Sequence, residues 1–209
     1  MSSNKITRIE SKDHAAGEVR VMRRVVWAMT VILAVSLSVN LLLAYKIGRP
    51  KPSAKAEQKL PALSVGESAS DIQAYSLNGQ PAVISYKDSS LPVVLYFFTP
   101  QCSWCARNLA NLRALASQKQ SSYKFIAVSL TDKDLGQYIA GTGLGMPVFM
   151  NPTDDVKLKY RLGGTPQTIV ISPDGKVLQN WVGAYADTQQ TEVEKFFGLT
   201  LPGLTPPLK

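Results

Sequence analysis

The stretch YFFTPQCSWCARNLANL, residues 96–112, contains both cysteines of this 209-residue chain, three positions apart. It begins within a continuous apolar run, LPVVLYFFT (91–99), which is typical of a strand buried on both faces of a central sheet. From Ser103 to about Lys119, apolar residues recur at helical spacing and predict an α-helix. The cysteine pair therefore lies at a strand-to-helix junction.

Several kinds of cysteine site can be compared with this pattern. Structural zinc usually needs four Cys or His ligands, whereas the chain has two cysteines and one histidine, His14, far away in sequence. Covalent haem attachment needs His after the second cysteine, and Ala106 occupies that position. Two unreactive core thiols remain an alternative, although their position directly after a buried strand disfavours it. We expect no metal and no bound cofactor.

A redox pair agrees with the chemistry of each position. Residues i and i+3 share one helix face, so Cys102 and Cys105 can form a disulfide across the first turn. At a helix N-terminus, unpaired N–H groups and the helix dipole favour a thiolate and lower the pKa of Cys102. Cys102 is the predicted nucleophile. The more covered Cys105 is predicted to attack the mixed disulfide and release the substrate.

The surrounding sequence predicts the elements of an α/β domain. Residues 71–86 contain two β-leaning runs separated by Asn78-Gly79, which predicts a hairpin. Further strands are predicted at 123–130, 147–150, 165–172 and 176–183, and helices at 131–143, capped by Thr or Asp, at 154–164 and at 187–199. This order predicts a mixed sheet with helices on both faces.

These residues resemble the thioredoxin superfamily, and within it the membrane-anchored TlpA/ResA-like thiol-disulfide oxidoreductases of the AhpC/TSA-redoxin type. The resemblance covers about residues 62–198. It rests on the strand that runs into C-S-W-C, on GGTPQTIVISPDGKV (163–177) and on the hairpin SLNGQPAVIS (76–85). It implies a thioredoxin-like fold in which Pro166 is a cis-proline facing the cysteines. Thr165, Pro166 and Trp104 are the implied substrate-binding residues; an ordinary turn proline is the alternative for Thr165-Pro166.

The sequence also departs from this family. Many thioredoxin-like reductases have a buried acid near the second cysteine, at positions that are Tyr96 and Asn108 here. Neither side chain is an acid near neutral pH, so deprotonation of Cys105 must be helped otherwise. The proline common before the second cysteine is also missing. Peroxiredoxins share the fold, but Leu95 occupies the proline position of their P-x-x-x-T-x-x-C motif, and that motif gives no role to Cys105. A thiol peroxidase and a binding or chaperone module remain alternatives.

The N-terminal part contains a candidate membrane helix. Residues 25–45 include no charged side chain and are long enough to cross a bilayer core of about 30 Å. A cleaved secretory signal is the alternative, but its apolar region is usually shorter and lies closer to a small-residue cleavage site. We expect an N-terminal segment at 1–24, a signal-anchor helix at 25–45, a linker at 46–61, a thioredoxin-like domain at 62–198 and a flexible tail at 199–209.

The net charge of +8 is concentrated beside the predicted membrane helix. Residues 1–24 carry six basic and three acidic side chains, 46–61 carry five and one, and 62–209 carry twelve and eleven. A soluble part so close to neutral gives little support to nucleic-acid binding. Basic residues are similar in number on the two sides and do not orient the helix.

The family resemblance implies the orientation and the reaction. It implies a cytoplasmic N-terminus, a single-pass helix in the inner membrane and a domain facing the periplasm or another extracytoplasmic space. The expected reaction is exchange with cysteines of client proteins in the direction of their reduction, with apocytochrome c as one candidate client. Continuous reduction in an oxidising compartment implies a transmembrane electron donor that reduces thiols.

Overall fold

The computed structural model describes residues 23–24, 26–43, 45, 61–87 and 89–206. Contacts divide the chain into two units, residues 1–57 and 58–209, and each is considered by itself. The predicted N-terminal segment, apart from residues 23–24, and the predicted linker, apart from residue 61, lie outside the described residues.

The first unit contains one long helix, α1 (Val26–Leu43), whose 18 residues have a mean hydropathy of 2.2 and are all exposed. Thr30, Ser38 and Asn40 are its polar residues that bond to backbone carbonyls one turn earlier. Such bonds satisfy these side chains inside the helix, which lowers their cost in lipid. By length and composition, α1 can cross a membrane, although a signal sequence passes the same test.

The second unit is built on a seven-stranded sheet in the order β2-β1-β5-β4-β3-β6-β7. Strands β3, β4 and β5 are parallel to one another, whereas β1, β2, β6 and β7 join through antiparallel pairs. The strands are β1 (Ile72–Ser76), β2 (Pro81–Ile84), β3 (Val93–Phe98), β4 (Lys124–Ser129), β5 (Val148–Met150), β6 (Gln167–Ile171) and β7 (Val177–Val182). The helices are α2 (Ser103–Lys119), α3 (Leu135–Thr142), α4 (Asp154–Lys159) and α5 (Asp187–Phe197).

Strand β3 is buried along its whole length, as its apolar sequence predicts. Side chains of one parity, such as Val93 and Leu95, pack in a core cluster with Val156 of α4. Those of the other parity, such as Val94 and Tyr96, pack in clusters that include α2, α3 and α5. Helices therefore cover both faces of the sheet, which confirms the predicted layers.

The hairpin formed by β1 and β2 is also confirmed, with Gly79 at φ 80° in its turn. A side chain there would be strained by this backbone conformation. Strand β2 is an edge strand of four residues that begins with a proline. At the other edge, residues 66–69 form backbone hydrogen bonds with Gly175 and Val177 at the start of β7.

Several element ends differ from the sequence prediction. The N-cap residue of α3 is an aspartate, Asp134, as predicted, but its φ is 57° and its side chain makes no capping hydrogen bond. Helix α4 ends at Lys159 and does not extend to the glycine pair. Strand β6 begins at Gln167, after the Thr165-Pro166 bond.

The predicted flexible tail needs the largest correction, because residues 199–206 pack on the domain. Leu201 is buried, and its backbone N–H donates to the Glu194 carboxylate at 2.9 Å. The N–H of Gly203 donates to Asn111 of α2 at 2.8 Å. An apolar side chain and backbone hydrogen bonds thus hold a segment whose prolines suggested a loose end.

Candidate active site

The cysteine pair occupies the first turn of α2, directly after β3. Cys102 is the N-cap residue in an extended conformation, and its Sγ accepts a hydrogen bond from the backbone N–H of Cys105 at 3.0 Å. The two residues form a disulfide with a Cα–Cα distance of 5.2 Å. The sulfur of Cys102 thus occupies the position at which an N-cap side chain satisfies the free N–H groups of a helix.

The two sulfur atoms have different surroundings. Cys105 is completely buried in an apolar cluster with Tyr96, Phe98 and Leu112. Cys102 is only partly buried. This arrangement leaves the sulfur of Cys102 partly accessible from solvent, while that of Cys105 is covered.

The loop before β6 lies against the exposed side of the pair. The Thr165-Pro166 peptide bond is cis, and the carbonyl oxygen of Thr165 lies 3.4 Å from Cys102 Sγ. The carbonyl oxygen of Pro166 accepts a hydrogen bond from the N–H of Gly183 at 2.7 Å, which ties the loop to the end of β7. Thr165 and Pro166 are therefore adjacent to the cysteines, although they are about sixty residues away in sequence.

Trp104, between the two cysteines, is 49% exposed on the first turn of α2. The guanidinium of Arg107 lies 4.4 Å from the centre of its ring. This cation–π contact fixes an aromatic surface beside the disulfide. All five residues that the sequence indicated thus lie in one region of the domain.

The positions of the missing acid contain neutral groups. Asn108 is buried, and its Oδ1 accepts hydrogen bonds from Asn111 Nδ2 and from the backbone N–H of Tyr185, both at 3.1 Å. Among the residues described, the Tyr96 hydroxyl and Asn108 Nδ2 are buried without a hydrogen-bond partner. Burial, and secondly the neighbouring Tyr185, raise the pKa of Tyr96 well above its ordinary value. Tyr96 therefore stays protonated and cannot act as a base near neutral pH.

Sequence reasoning missed two neighbours of the site. Gln101, just before Cys102, donates from Nε2 to the Asp134 carboxylate at 2.9 Å and ties the cysteine loop to the start of α3. Arg107 bonds to Thr205 in the C-terminal segment. These contacts join residues 33 and 98 positions apart, so no local pattern indicates them. Within the part of the chain that the structure describes, no three His, Cys, Asp or Glu side chains cluster to form a metal site.

Comparison with known proteins identifies the family. The family model described as AhpC/TSA matches residues 65–180, more than half of the chain. The chain belongs to the AhpC/TSA family. The chain is also similar to the thiol-disulfide oxidoreductase ResA of Oceanobacillus iheyensis. The two sequences are 29% identical over 126 residues, which are 57% of this chain and 66% of that protein. The matched part thus spans slightly less than two thirds of the length of ResA.

Solved structures similar to this AhpC/TSA chain show the fold. The thioredoxin domain of a thiol-disulfide oxidoreductase from Bacteroides vulgatus has a TM-score of 0.54 and 24% identity, covering 65% of this chain and 99% of that one. A thiol:disulfide interchange protein from Bacteroides sp. has a TM-score of 0.52 and 21% identity, covering 65% and 91%. The domain has a thioredoxin-like fold. At 24% and 21% identity, these likenesses show the fold alone.

Proposed function

We propose that this chain is a membrane-anchored thiol-disulfide oxidoreductase that reduces disulfides of extracytoplasmic client proteins. The observation that carries the proposal is the asymmetric cysteine pair: Cys102 is accessible at a helix N-terminus, and Cys105 is buried one turn later. The name of the ResA relative supports the same reaction class. The family match alone leaves the direction of the reaction open.

The proposed reaction balances sulfur bonds and electrons. The Cys102 thiolate attacks a client disulfide, so one Cys102–client bond forms and one client thiolate leaves. The Cys105 thiolate then attacks Cys102 Sγ, forms the intramolecular disulfide and releases the second client thiolate. Two electrons pass to the client, whose thiolates take up the two protons that Cys102 and Cys105 release. Another dithiol protein, the proposed transmembrane donor, returns the electrons.

The residues around the pair suggest how a client segment is held. The backbone of Thr165 lies next to Cys102, and Trp104 offers an exposed ring. An extended client strand would pair with the backbone of Thr165 while its cysteine faces Cys102. Deprotonation of Cys105 proceeds without a carboxylate at the positions of Tyr96 and Asn108, and we propose water as the proton acceptor.

The location is part of the proposal. The exposed apolar helix α1 supports a single-pass anchor, and the family resemblance supports an extracytoplasmic domain in the inner membrane. In membranes extracted at alkaline pH, the full chain should remain in the pellet. In sealed cells, a membrane-impermeant thiol reagent should label reduced Cys102. Release into the supernatant, or labelling only after lysis, would contradict the anchor or the orientation respectively.

Trapping of clients tests the exchange mechanism. Cys105→Ser keeps the attacking thiol and removes the resolving one, so mixed disulfides between Cys102 and client proteins should accumulate. Cys102→Ser is the matched control and should trap none. Equal amounts of trapped protein in the two variants would exclude the mechanism, as would turnover of hydrogen peroxide far above the rate of free cysteine.

The direction of the reaction can be measured separately. A reductase should have a redox potential close to the thioredoxin value of about −270 mV, whereas an oxidant should be closer to about −120 mV. Equilibration of the purified full chain with glutathione or dithiothreitol gives this value. A potential near the oxidant end would contradict the reductase proposal and leave the exchange reaction itself intact.

A further inference from the structure

Arg107 carries a positive charge beside the cysteine pair. It lies five residues after Cys102, about 7.5 Å along the axis of α2 at the rise of an α-helix. Its guanidinium lies over the ring of Trp104. Trp104 lies between the two cysteines in sequence and is half exposed. A client segment that reaches Cys102 therefore passes close to this cation.

The C-terminal segment holds Arg107 in place. Its Nε donates to the carbonyl oxygen of Thr205 at 3.0 Å. In return, the backbone N–H and the hydroxyl of Thr205 donate to the carbonyl oxygen of Arg107 at 3.0 and 3.2 Å. Burial of Leu201 and the bond from Gly203 to Asn111 fix the segment itself. The side chain of Arg107 is held at Nε by Thr205 and at its guanidinium by Trp104. It therefore loses little further conformational entropy when it binds a partner.

The charge of Arg107 is not neutralised within the described residues. The ion pairs found there join Lys157 to Asp154, Lys159 to Asp155 and Arg161 to Glu67. The single side-chain hydrogen bond described for Arg107 uses Nε, so its terminal amino groups make none with the described residues. A planar guanidinium with free N–H groups matches the geometry of a carboxylate.

We propose that Arg107 is a specificity-determining residue that selects client segments carrying a carboxylate close to the reacting cysteine. This inference rests on the proposed disulfide exchange. At about 3.4 Å per residue, an extended segment covers the distance along α2 in two or three residues. The preferred client therefore has Asp or Glu within about three residues of its cysteine. Arg107 takes no part in the electron transfer; it contacts the client.

Three matched peptides test the proposal. Each contains two cysteines in an intramolecular disulfide and differs only in having Glu, Gln or Lys two residues outside the pair. The full chain, reduced and kept in an uncharged detergent, is mixed with each peptide, and the second-order rate constant of peptide reduction is measured by acid quench and thiol alkylation. Each rate is divided by the rate of the same peptide with dithiothreitol, which corrects for the peptide's own reactivity.

The Glu peptide should react about three- to tenfold faster than the Gln peptide, the range expected of one charge-assisted contact at a partly exposed site. The Lys peptide should react more slowly than the Gln peptide. In about 1 M salt, where the screening length is about 3 Å, the differences should shrink to less than about twofold. Equal normalised rates for all three peptides at about 0.15 M salt, where the screening length is about 8 Å, would overturn the proposal.

Two variants locate the effect. In Arg107→Gln the Glu-to-Gln ratio should fall to about one. Lys119→Gln, the matched control, removes a charge about 18 Å away on the same helix and should keep the full ratio, because that distance exceeds the screening length of about 8 Å. Loss of the ratio in both variants would indicate an effect of net charge and would overturn the assignment to Arg107.

A chain that ends at Gly203 keeps the charge and loses Thr205. Its Glu-to-Gln ratio should lie between those of the full chain and Arg107→Gln. A ratio equal to the full chain's would overturn the role of Thr205 in holding Arg107.

Failure of the proposed function would give a different result. If the full chain reduces the Gln peptide no faster than Cys102→Ser does, disulfide exchange is excluded; if it reduces all peptides equally, exchange stands and charge selection does not.

Discussion

The surroundings of Cys102 and Cys105 differ in exposure and in chemistry, although the two residues share one helical turn. On the side of Cys102 lie a backbone carbonyl, an exposed indole and a guanidinium, from Thr165, Trp104 and Arg107. On the side of Cys105 lie buried apolar and aromatic groups. One side has the groups that we propose recognise a polypeptide, and the other has the packing that covers the second sulfur.

The comparison teaches that the helix N-terminus alone does not make both cysteines reactive. Cys102 Sγ accepts a hydrogen bond from a helix N–H group, whereas Cys105 is completely buried in an apolar cluster. The same backbone turn therefore holds one half-buried and one completely buried sulfur, as the proposed nucleophile and resolving group require.

Alkylation should show the largest difference. In the reduced chain at pH 7, iodoacetamide should modify Cys102 about a thousandfold faster than Cys105, because Cys102 is only partly buried at a helix N-terminus and Cys105 is completely buried. Mass spectrometry of quenched digests gives both rates. Rates within about tenfold of each other would mean that the two environments do not separate the thiols.

Removing a side chain from the buried cluster around Cys105 should lower the free energy of unfolding. Leu112→Ala removes a completely buried side chain from the cluster that contains Cys105 and should lower the free energy of unfolding by about 2–5 kcal/mol. Leu158→Ala, at a site that is 66% exposed on α4, should change it by less than about 0.5 kcal/mol. Denaturant unfolding of the oxidised proteins measures both. The reduced Leu112→Ala protein should also show faster alkylation of Cys105.

Two substitutions that each remove a buried hydroxyl should differ in how much they lower the free energy of unfolding, and this difference should be smaller than that between the two leucine variants. The hydroxyls of Thr168 and Tyr185 are 2.6 Å apart and buried, so Thr168→Val leaves the Tyr185 hydroxyl unpaired and should cost about 1–3 kcal/mol. Tyr96→Phe removes a buried hydroxyl that already lacks a partner in the described structure and should cost less than about 1 kcal/mol. A larger loss for Tyr96→Phe than for Thr168→Val would show that Tyr96 has a stabilising partner.

The smallest effect concerns pH and the C-terminal segment. Hydrogen bonds from Gln190 and from the backbone N–H of Leu201 lower the pKa of Glu194 below its ordinary value of 4.5. Because the folded pKa is the lower one, this contribution to stability is present above pH 4.5 and is lost as the pH falls through the folded value. Glu194→Gln should therefore flatten the pH dependence of unfolding in this range. An unchanged profile would show that the segment does not depend on this carboxylate.

The sequence predicted the elements that depend on local patterns. The apolar run of β3, the helical spacing of α2 and the Asn78-Gly79 turn each act within a few residues, so their positions can be read directly. The cysteine pair was found for the same reason. Its neighbours Thr165, half-buried, and Pro166, buried, needed a family resemblance, because nothing local brings them to Cys102.

The remaining contacts could not be predicted because they join distant segments through single hydrogen bonds. A Thr or Asp was expected to cap α3, and Asp134 is its N-cap residue, but its carboxylate accepts from Gln101 across the loop and not from the helix. The tail looked loose because of its prolines, yet one buried leucine and the amide of Asn111 hold it on α2. Neither the partner of an amide side chain nor the site that one leucine fills can be seen in residue spacing.

The two protected edges of the sheet affect how these domains behave when they are crowded. Proline cannot donate a backbone hydrogen bond, so an edge strand of four residues that begins with Pro81 offers a poor template for another chain. The opposite edge is partly covered by residues 66–69. Neighbouring copies therefore have little opportunity to extend each other's sheets. Many domains can therefore stand side by side without fibrous aggregation, and the surface around Cys102 of each one stays accessible to the proposed client proteins.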